Sequence, residues 1–185
     1  MSRIAIFIDG AYLDFLLREE FRLAKIDYES LATKLAGTYD RLRTYYYNCL
    51  PYQSDPPTAE EKERFGRKQS FYTTLTRLPR FEVRLGRLAY RGIDKNSGKR
   101  VFEQKRVDIM LGVDLVLLSA KHQITHAALL AGDSDFLPAI AAAKNEGVLI
   151  HLFHGQRPHS ELWDAADERT IIDQALIDSI LRTQT

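Results

Sequence analysis

The hydrophobic pattern of the chain alternates between short, continuous apolar runs and longer stretches with helical spacing. The first run, residues 3–8, is rich in β-branched residues, which is typical of a strand buried on both faces. Further strands are predicted at 42–50, 81–90, 99–104, 127–131 and 147–153. Helices are predicted at 11–21, 28–36, 58–78, 107–120, 135–145, 162–166 and 173–181. This alternation predicts an α/β fold whose mostly parallel central sheet carries helices on both faces.

Local signals support several of these elements. Thr58 followed by Glu61 matches a capping box at the start of a helix, and Pro138 falls in the first turn of another. The run Tyr45, Tyr46 and Tyr47 is interpreted as strand packing rather than as an exposed stacking surface. The capping box and Pro138 thus agree with the two helix starts that the hydrophobic periodicity predicts.

Length and composition narrow the class of protein. A chain of 185 residues is expected to form one domain, here residues 1–185, and 45% hydrophobic residues exclude an intrinsically disordered chain. The single cysteine, Cys49, excludes an internal disulfide and a cysteine-rich zinc cluster. No apolar run approaches the roughly 18 residues needed to span a bilayer, and the amino terminus is too short for a signal peptide. A soluble, cytoplasmic protein is therefore expected.

Charge is balanced overall but not locally. The chain has 26 Lys and Arg against 25 Asp and Glu, yet residues 77–106 hold ten basic residues against three acids. This block coincides with a predicted β-hairpin whose tip spans 91–98. The basic residues proposed to contact nucleic acid are Arg84, Arg87, Arg91, Lys99 and Arg100, with Tyr90 stacking on bases. The alternative is a solvated hairpin with charged edges that resist aggregation.

Aspartates follow the predicted strands where an α/β sheet binds its ligands. Asp9 follows the first strand, Asp133 follows the strand at 127–131, and Asp108 and Asp135 lie at the starts of the next helices. Each could be a helix cap, which stabilises a helix by about 0.5–2 kcal/mol. If the acids converge, however, each close pair repels by roughly 4 kcal/mol, and a cation or a shifted protonation would offset that repulsion.

Carboxylate oxygens select Mg²⁺ or Mn²⁺ over softer metals, and the chemistry that fits is metal-assisted hydrolysis of a phosphodiester. The chain has no nucleophile elbow and no catalytic Cys–His pairing. The glycine-rich phosphate loops of nucleotide-binding proteins are also missing, so no nucleotide cofactor is expected. Lys105, three residues before Asp108, is expected to contact the substrate phosphate or to reduce repulsion between the acids.

Three motifs in order resemble the NYN domain family, and in particular its LabA-like branch, within the PIN-like nuclease superfamily. They are residues 7–13, residues 105–108 with Asp114 six further on, and residues 131–136. Residues 159–167 are similar to the carboxyl-terminal pattern of the same branch. The resemblance implies a Rossmann-like, PIN-like three-layer sandwich, with the basic hairpin at about 80–105 as an insertion. It also implies an acidic pocket that binds Mg²⁺ or Mn²⁺ and cleaves RNA.

Carried over by position, the resemblance makes Asp9, Asp108 and Asp133 the metal ligands and Asp135 a supporting acid of the catalytic pocket. Ser134 would donate a hydrogen bond to Asp9 or to a phosphate. Six residues separate Asp108 and Asp114, so their side chains point roughly 120° apart on a helix, and Asp114 is expected to support the site indirectly. Tyr12 stands where many relatives have Asn.

The first hypothesis is therefore a metal-dependent ribonuclease that acts on single-stranded RNA. The second is a catalytically weak or inactive module of the same fold that binds RNA or a protein partner, which the departure at Tyr12 favours. A phosphatase of small phosphoesters is a weaker third, because residues 9–11 lack the second Asp that aspartyl-phosphate phosphatases carry. The sequence leaves a homo-oligomer open.

Overall fold

The computed structural model describes residues 2–95, 97–98 and 100–182 of the chain. The strands are β1 (Arg3–Asp9), β2 (Asp40–Cys49), β3 (Phe81–Ile93), β4 (Arg100–Lys105), β5 (His126–Leu130), β6 (Leu149–His154) and β7 (Glu168–Ile171). The helices are α1 (Gly10–Glu19), α2 (Tyr28–Ala36), α3 (Ala59–Thr76), α4 (Val107–Ala120), α5 (Leu137–Asn145), α6 (Ser160–Ala165) and α7 (Gln174–Ser179). A short 3₁₀ turn, Ser134–Phe136, precedes α5.

The strands form one seven-stranded sheet in the order β4-β3-β2-β1-β5-β6-β7. Neighbouring strands are parallel except for the β3–β4 hairpin, which is antiparallel. The predicted α/β fold with a mostly parallel sheet is therefore confirmed, including the hairpin at its edge. β1 lies in the middle of the sheet, which explains why its apolar run is continuous.

Alternate residues of β1 serve two separate cores on the two faces of the sheet. Ile4, Ile6 and Ile8 pack into the core that also includes residues of α1, α2 and α3. Ala5 and Phe7 pack into the core formed with α4, α5 and α6. All five side chains are 1% exposed or less. Helices therefore cover both faces, as the continuous apolar pattern predicts.

The tyrosine run in β2 packs inside the protein, as predicted. Tyr46 is fully buried on the α1–α3 side, and its ring lies edge-on to Tyr28 at 5.8 Å. Tyr45 and Tyr47 are buried on the opposite side, with 6.3 Å between their ring centres. The alternation of the pleated strand thus sends neighbouring tyrosines to different cores.

The structure differs from the sequence prediction mainly near the carboxyl end. No element is predicted at residues 167–172, yet they contain β7, a four-residue edge strand that pairs with β6. Three of its four residues are exposed, so it lacks the apolar run by which the inner strands are detected. The helix predicted at 135–145 begins later, at Leu137, because the 3₁₀ turn occupies its first residues. Within the described ranges, no helix is long and apolar enough to cross a bilayer.

The predicted capping box of α3 is present and extends into a larger network. Thr58 Oγ1 accepts from the Glu61 backbone N–H at 3.2 Å, and Glu61 Oε2 accepts from the Thr58 N–H at 3.0 Å. The same Glu61 oxygen accepts from the Ser54 hydroxyl at 2.5 Å and from the Ser54 N–H, while Oε1 lies 3.3 Å from Arg100 Nη1. These bonds, the Ser54 hydroxyl first, lower the pKa of Glu61 to about 2. Glu61 therefore joins the β2–α3 loop, α3 and the hairpin.

We expect Glu61→Gln to destabilise the protein at pH 7 and to lose this effect in acid. Because the folded pKa of Glu61 lies below its ordinary value of 4.5, its contribution is complete above pH 4.5 and disappears as the pH falls toward 2. Urea unfolding of both proteins at several pH values measures the difference, with Glu60→Gln as the neighbouring control. A difference that is the same at pH 3 and pH 7 contradicts the prediction.

Candidate functional site

Asp9 ends β1 and caps the next helix, α1. Its Oδ1 accepts the backbone N–H groups of Ala11 at 3.0 Å and Tyr12 at 3.2 Å. A side chain at Gly10 would place its Cβ 2.5 Å from Tyr46 Cζ, so the missing side chain allows α1 to begin directly against β2. The predicted cap is therefore present, and it also fixes the orientation of the carboxylate at the sheet edge.

The Asp9 carboxylate lies in an environment that disfavours its charge. Burial is the largest effect, and the charges of Asp108 and Asp133 add to it. Together they raise the pKa of Asp9 from its ordinary 3.8 to about 6, although the two backbone hydrogen bonds act in the opposite direction. Acids from three separate segments of the chain thus influence one another.

Asp133 reaches the same edge because β5 lies beside β1. Ile8 pairs with Leu130, so the chain leaves both strands at the same level of the sheet. Asp133 then caps the 3₁₀ turn, and its Oδ1 accepts from the Asp135 backbone N–H at 3.0 Å. Asp133 and Asp135 are both exposed, in contrast to the partly buried Asp9.

Asp108 arrives from the other side, in the first turn of α4. The chain enters α4 through Arg106, whose backbone is left-handed with a φ of 76°. A Cβ on Gly86 would lie 2.5 Å from the Lys105 carbonyl oxygen and 2.6 Å from Val107 Cγ2, so this glycine lets the β4–α4 junction pass close to β3. Burial raises the pKa of Asp108, and Asp133 and Asp135 raise it further.

Tyr12 occupies the space between the loops after β1, β5 and β6. Its hydroxyl accepts the Gly155 backbone N–H at 3.0 Å, and its ring lies where a Gly132 side chain would be, 2.4 Å from Cε2 to the ideal Cβ position. Burial raises the pKa of this phenol, so it stays neutral. The Tyr12 ring is thus accommodated because the residue opposite it is Gly132.

A cavity of about 470 Å³ opens between these groups. Its lining residues are Asp9, Tyr12, Gly132, Asp133, Ser134 and His159. His159 was not among the sequence candidates, although it precedes α6 in the loop after β6 and so lies at the same sheet edge. The position after a strand was the signal that could have found it. His154, the last residue of β6, is buried, and its Nδ1 lies 2.7 Å from the Gly155 carbonyl oxygen.

A second cavity of about 1130 Å³ lies between α4 and α5. Ser134 lines both cavities. Lys105, Asp108 and Asp135 lie around the second one, whose walls are mainly apolar. The predicted Lys105 therefore shares a cavity with two of the acids, while its ammonium also lies 3.0 Å from Glu103.

Asp114 is not brought to this edge. Its Oδ2 accepts from the Tyr47 hydroxyl at 2.8 Å and lies 3.2 Å from Arg84 Nε. Its contacts are thus with β2 and β3 rather than with the other acids. Arg84 is held in the same place, because it also pairs with Glu82 at 2.6 Å and its guanidinium lies over the Tyr45 ring. Arg84 therefore stabilises the scaffold.

The other predicted nucleic-acid contacts lie on the exposed hairpin. Arg91 pairs with Glu103, and Arg100 pairs with Glu61 at 3.3 Å. Arg87 is exposed and has no ion-pair partner in the part of the chain that the structure describes. Lys99 lies outside the described residues. Exposed ion pairs contribute only about 0–1 kcal/mol, so a phosphate could replace Glu103 as the partner of Arg91. Arg100 is held more firmly, because its partner Glu61 is buried.

The donor chemistry of the site fits a hard divalent cation. The acids supply oxygen ligands, and Asp9 is both fixed by backbone bonds and destabilised as an isolated anion. Across residues 2–95, 97–98 and 100–182, no three Asp, Glu, His or Cys side chains stand close enough to form a complete ligand cluster. Mg²⁺ commonly binds through one or two carboxylates and several waters, which this arrangement permits.

Comparison with known families agrees with the geometry. Residues 3–174, nearly the whole chain, match the profile of the NYN domain. The chain belongs to the NYN domain family. This family is part of the PIN-like nuclease superfamily. No comparison assigns a branch, so the LabA-like assignment stays a prediction.

The fold of this NYN domain also occurs among solved structures. A crystal structure of a protein of unknown function from Vibrio parahaemolyticus is similar, with a TM-score of 0.66 and 18% sequence identity. The similarity covers 98% of this chain and 96% of the other. At this identity the match concerns the fold alone. The sequence has no significant match among curated proteins.

We expect Asp9→Asn to stabilise the metal-free NYN domain at neutral pH. The folded pKa of Asp9, about 6, exceeds its ordinary 3.8, so the folded wild-type protein loses stability as the pH rises from 4 to 7. The loss is on the order of 3 kcal/mol, and the asparagine avoids it while keeping the cap. Urea unfolding in EDTA measures this, with Asp164→Asn as control. Wild type and Asp9→Asn with parallel pH profiles would refute the expectation.

Proposed function

We propose that this NYN domain is a divalent-metal-dependent ribonuclease that hydrolyses phosphodiester bonds of single-stranded RNA. The observation that carries the proposal is that Asp9 and Asp133 line one cavity, with Asp108 near enough for its charge to raise the pKa of Asp9. Such coupling costs folding free energy unless a cation offsets it. Membership in a family of nuclease-like proteins supports the choice of a phosphodiester as substrate.

Asp9, Asp108 and Asp133 would hold Mg²⁺ or Mn²⁺. When bound, such an ion neutralises phosphate charge and makes water a better nucleophile at neutral pH. The chain contributes fixed carboxylate orientations: Asp9 is held by two backbone N–H groups and Asp133 by one. These bonds reduce the reorganisation that the site would need when substrate binds.

The surrounding residues would bind the RNA backbone. Ser134 lies where the two cavities meet, so its hydroxyl would donate to a phosphate oxygen, and Asp135 beside it would support the acidic pocket. Lys105 would attract the neighbouring phosphate from the second cavity. His159 lines the first cavity together with Asp9 and Asp133, so it would lie beside the bound RNA backbone. Tyr12 would shape this cavity rather than bind the ion, because its hydroxyl is already bonded to Gly155.

A second candidate is a module of the same fold that binds RNA without cleaving it. Tyr12 favours this candidate, since a phenol occupied by Gly155 cannot replace the amide that many relatives carry. Incubation of single-stranded RNA with the protein and Mn²⁺, and then with EDTA, separates the two. Turnover that EDTA abolishes supports the ribonuclease, whereas binding to several RNAs without turnover supports the module.

We expect Asp133→Asn to leave the fold intact and to reduce RNA cleavage by at least about 100-fold, which corresponds to about 2.7 kcal/mol of transition-state stabilisation. Asparagine caps a helix as well as aspartate, so the turn at Ser134–Phe136 is retained. Initial rates with labelled single-stranded RNA and Mn²⁺ measure the loss, and circular dichroism checks the fold. Asp164→Asn, an exposed acid away from the cavities, is the matched control. Full activity of Asp133→Asn would contradict the proposed function.

A further inference from the structure

Three aromatic side chains meet on the hairpin side of the molecule, outside both cavities. Tyr52, in the loop after β2, lies 5.2 Å from Phe102 and 5.8 Å from Tyr90, and Tyr90 lies 5.8 Å from Phe102, between ring centres. Tyr90 and Phe102 are direct partners across the β3–β4 ladder. We refer to Tyr52, Tyr90 and Phe102 as the aromatic cluster.

The aromatic cluster is open to solvent. Tyr90 is 43% exposed and Phe102 is 36% exposed, and the neighbouring Ile93 and Val101 are also exposed. β3 pairs with β2 only as far as Gly86, so the cluster lies on the part of the hairpin that extends past β2. An edge hairpin that only prevented aggregation would carry charged or short polar side chains here. The exposed aromatic surface therefore points to a binding role.

Cations border the aromatic cluster. Arg91 follows Tyr90, Arg100 lies two residues before Phe102, and Arg87 lies three residues before Tyr90. Arg91 occupies a β-bulge, where the register shifts between Tyr90 and Gly92. The acid partner of Arg91 is the exposed carboxylate of Glu103, whereas Arg100 pairs with the buried Glu61. This combination of π-faces and exchangeable cations complements a polyanion with planar bases, rather than an apolar peptide.

The aromatic cluster also lies a short distance along the hairpin from the cavity that Asp108 lines. The Arg87–Lys105 pair sits at the base of the hairpin, and Lys105 lines the same cavity as Asp108. The Tyr90–Phe102 pair is three positions further along the ladder, a distance of roughly 10 Å at the usual rise of a strand. A flexible strand whose backbone reached the acids could therefore place nearby bases on the aromatic rings.

We propose that the aromatic cluster is a stacking platform for unpaired bases of RNA and that it lies to one side of the acidic site. This inference rests on the proposed ribonuclease function and assigns its preference for single strands to particular side chains. In a duplex the bases stack on one another and cannot lie on protein rings, so a platform of this kind selects single strands. Arg87 and Arg91, on the other face of the same hairpin, would attract the RNA backbone to it.

The test measures binding separately from cleavage. The wild-type full chain is titrated in EDTA against a fluorescently labelled 12-nucleotide RNA of mixed A and U, with anisotropy as the readout. We expect Tyr90→Ala and Phe102→Ala each to weaken binding by on the order of 10-fold, while Tyr90→Phe and Phe102→Tyr bind like wild type because they keep the ring. We also expect a duplex of the same length to bind more weakly than the single strand.

The controls separate stacking from charge and from folding. Tyr39 directly precedes β2, and its ring stacks on His126 at the start of β5 with 4.0 Å between the ring centres. The control variant Tyr39→Ala removes this tyrosine and should leave RNA affinity unchanged. Arg87→Gln should lower the slope of log affinity against log salt by about one, whereas the aromatic variants should keep the wild-type slope. Thermal unfolding confirms that each variant is folded.

Affinity within twofold of wild type for folded Tyr90→Ala and Phe102→Ala overturns the platform, as does equal affinity for duplex and single strand. Absence of RNA binding by the wild-type chain overturns it as well, and leaves the aromatic cluster to a protein partner. If the wild-type chain binds RNA through the aromatic rings but never cleaves it, the ribonuclease fails and the platform stands. If it cleaves RNA without dependence on these rings, only the platform fails.

Discussion

The burial of one acid close to two others is the constraint on which the rest of this molecule depends. Asp9 is partly buried beside Asp108 and Asp133, and its raised pKa measures how unfavourable that placement is for an ionised acid. The fold maintains the arrangement because the acids leave adjacent strands or enter the next helix at one edge of the sheet. Such a destabilised group is typical of a functional site, since a purely structural acid gains nothing from it.

Several local features of the scaffold position the acids at this edge of the sheet. Gly10 allows α1 to start against Tyr46, Gly86 lets the β4–α4 junction approach β3, and Gly132 leaves room for the Tyr12 ring. Backbone N–H groups then orient Asp9 and Asp133. Capping and ligand binding are therefore not alternatives here, because the cap presents the carboxylate in a defined direction.

Much of the fold follows from the sequence pattern, because a strand buried on both faces leaves a continuous apolar run and a long apolar helix leaves a clear period. The run at β1 and the bounds of α2 and α4 are examples. The convergence of Asp9 and Asp133 follows from parallel strands, but that of Asp108 depends on a hairpin path that no local pattern specifies.

The sequence pattern does not predict β7, because an exposed four-residue edge strand has no continuous apolar run. The contacts of Asp114 with Tyr47 and Arg84 depend on tertiary packing alone. Oligomeric state and a cytoplasmic location stay predictions.

The most direct measurement of the central claim is the position of a divalent ion. Crystals soaked in Mn²⁺ and measured at a wavelength with manganese anomalous signal would locate it without reference to activity. The account predicts an anomalous peak between the carboxylates of Asp9, Asp108 and Asp133, lost in crystals of Asp9→Asn or Asp133→Asn. Well-ordered acids with no peak between them at saturating Mn²⁺, or a peak bound only elsewhere on the surface, would contradict it.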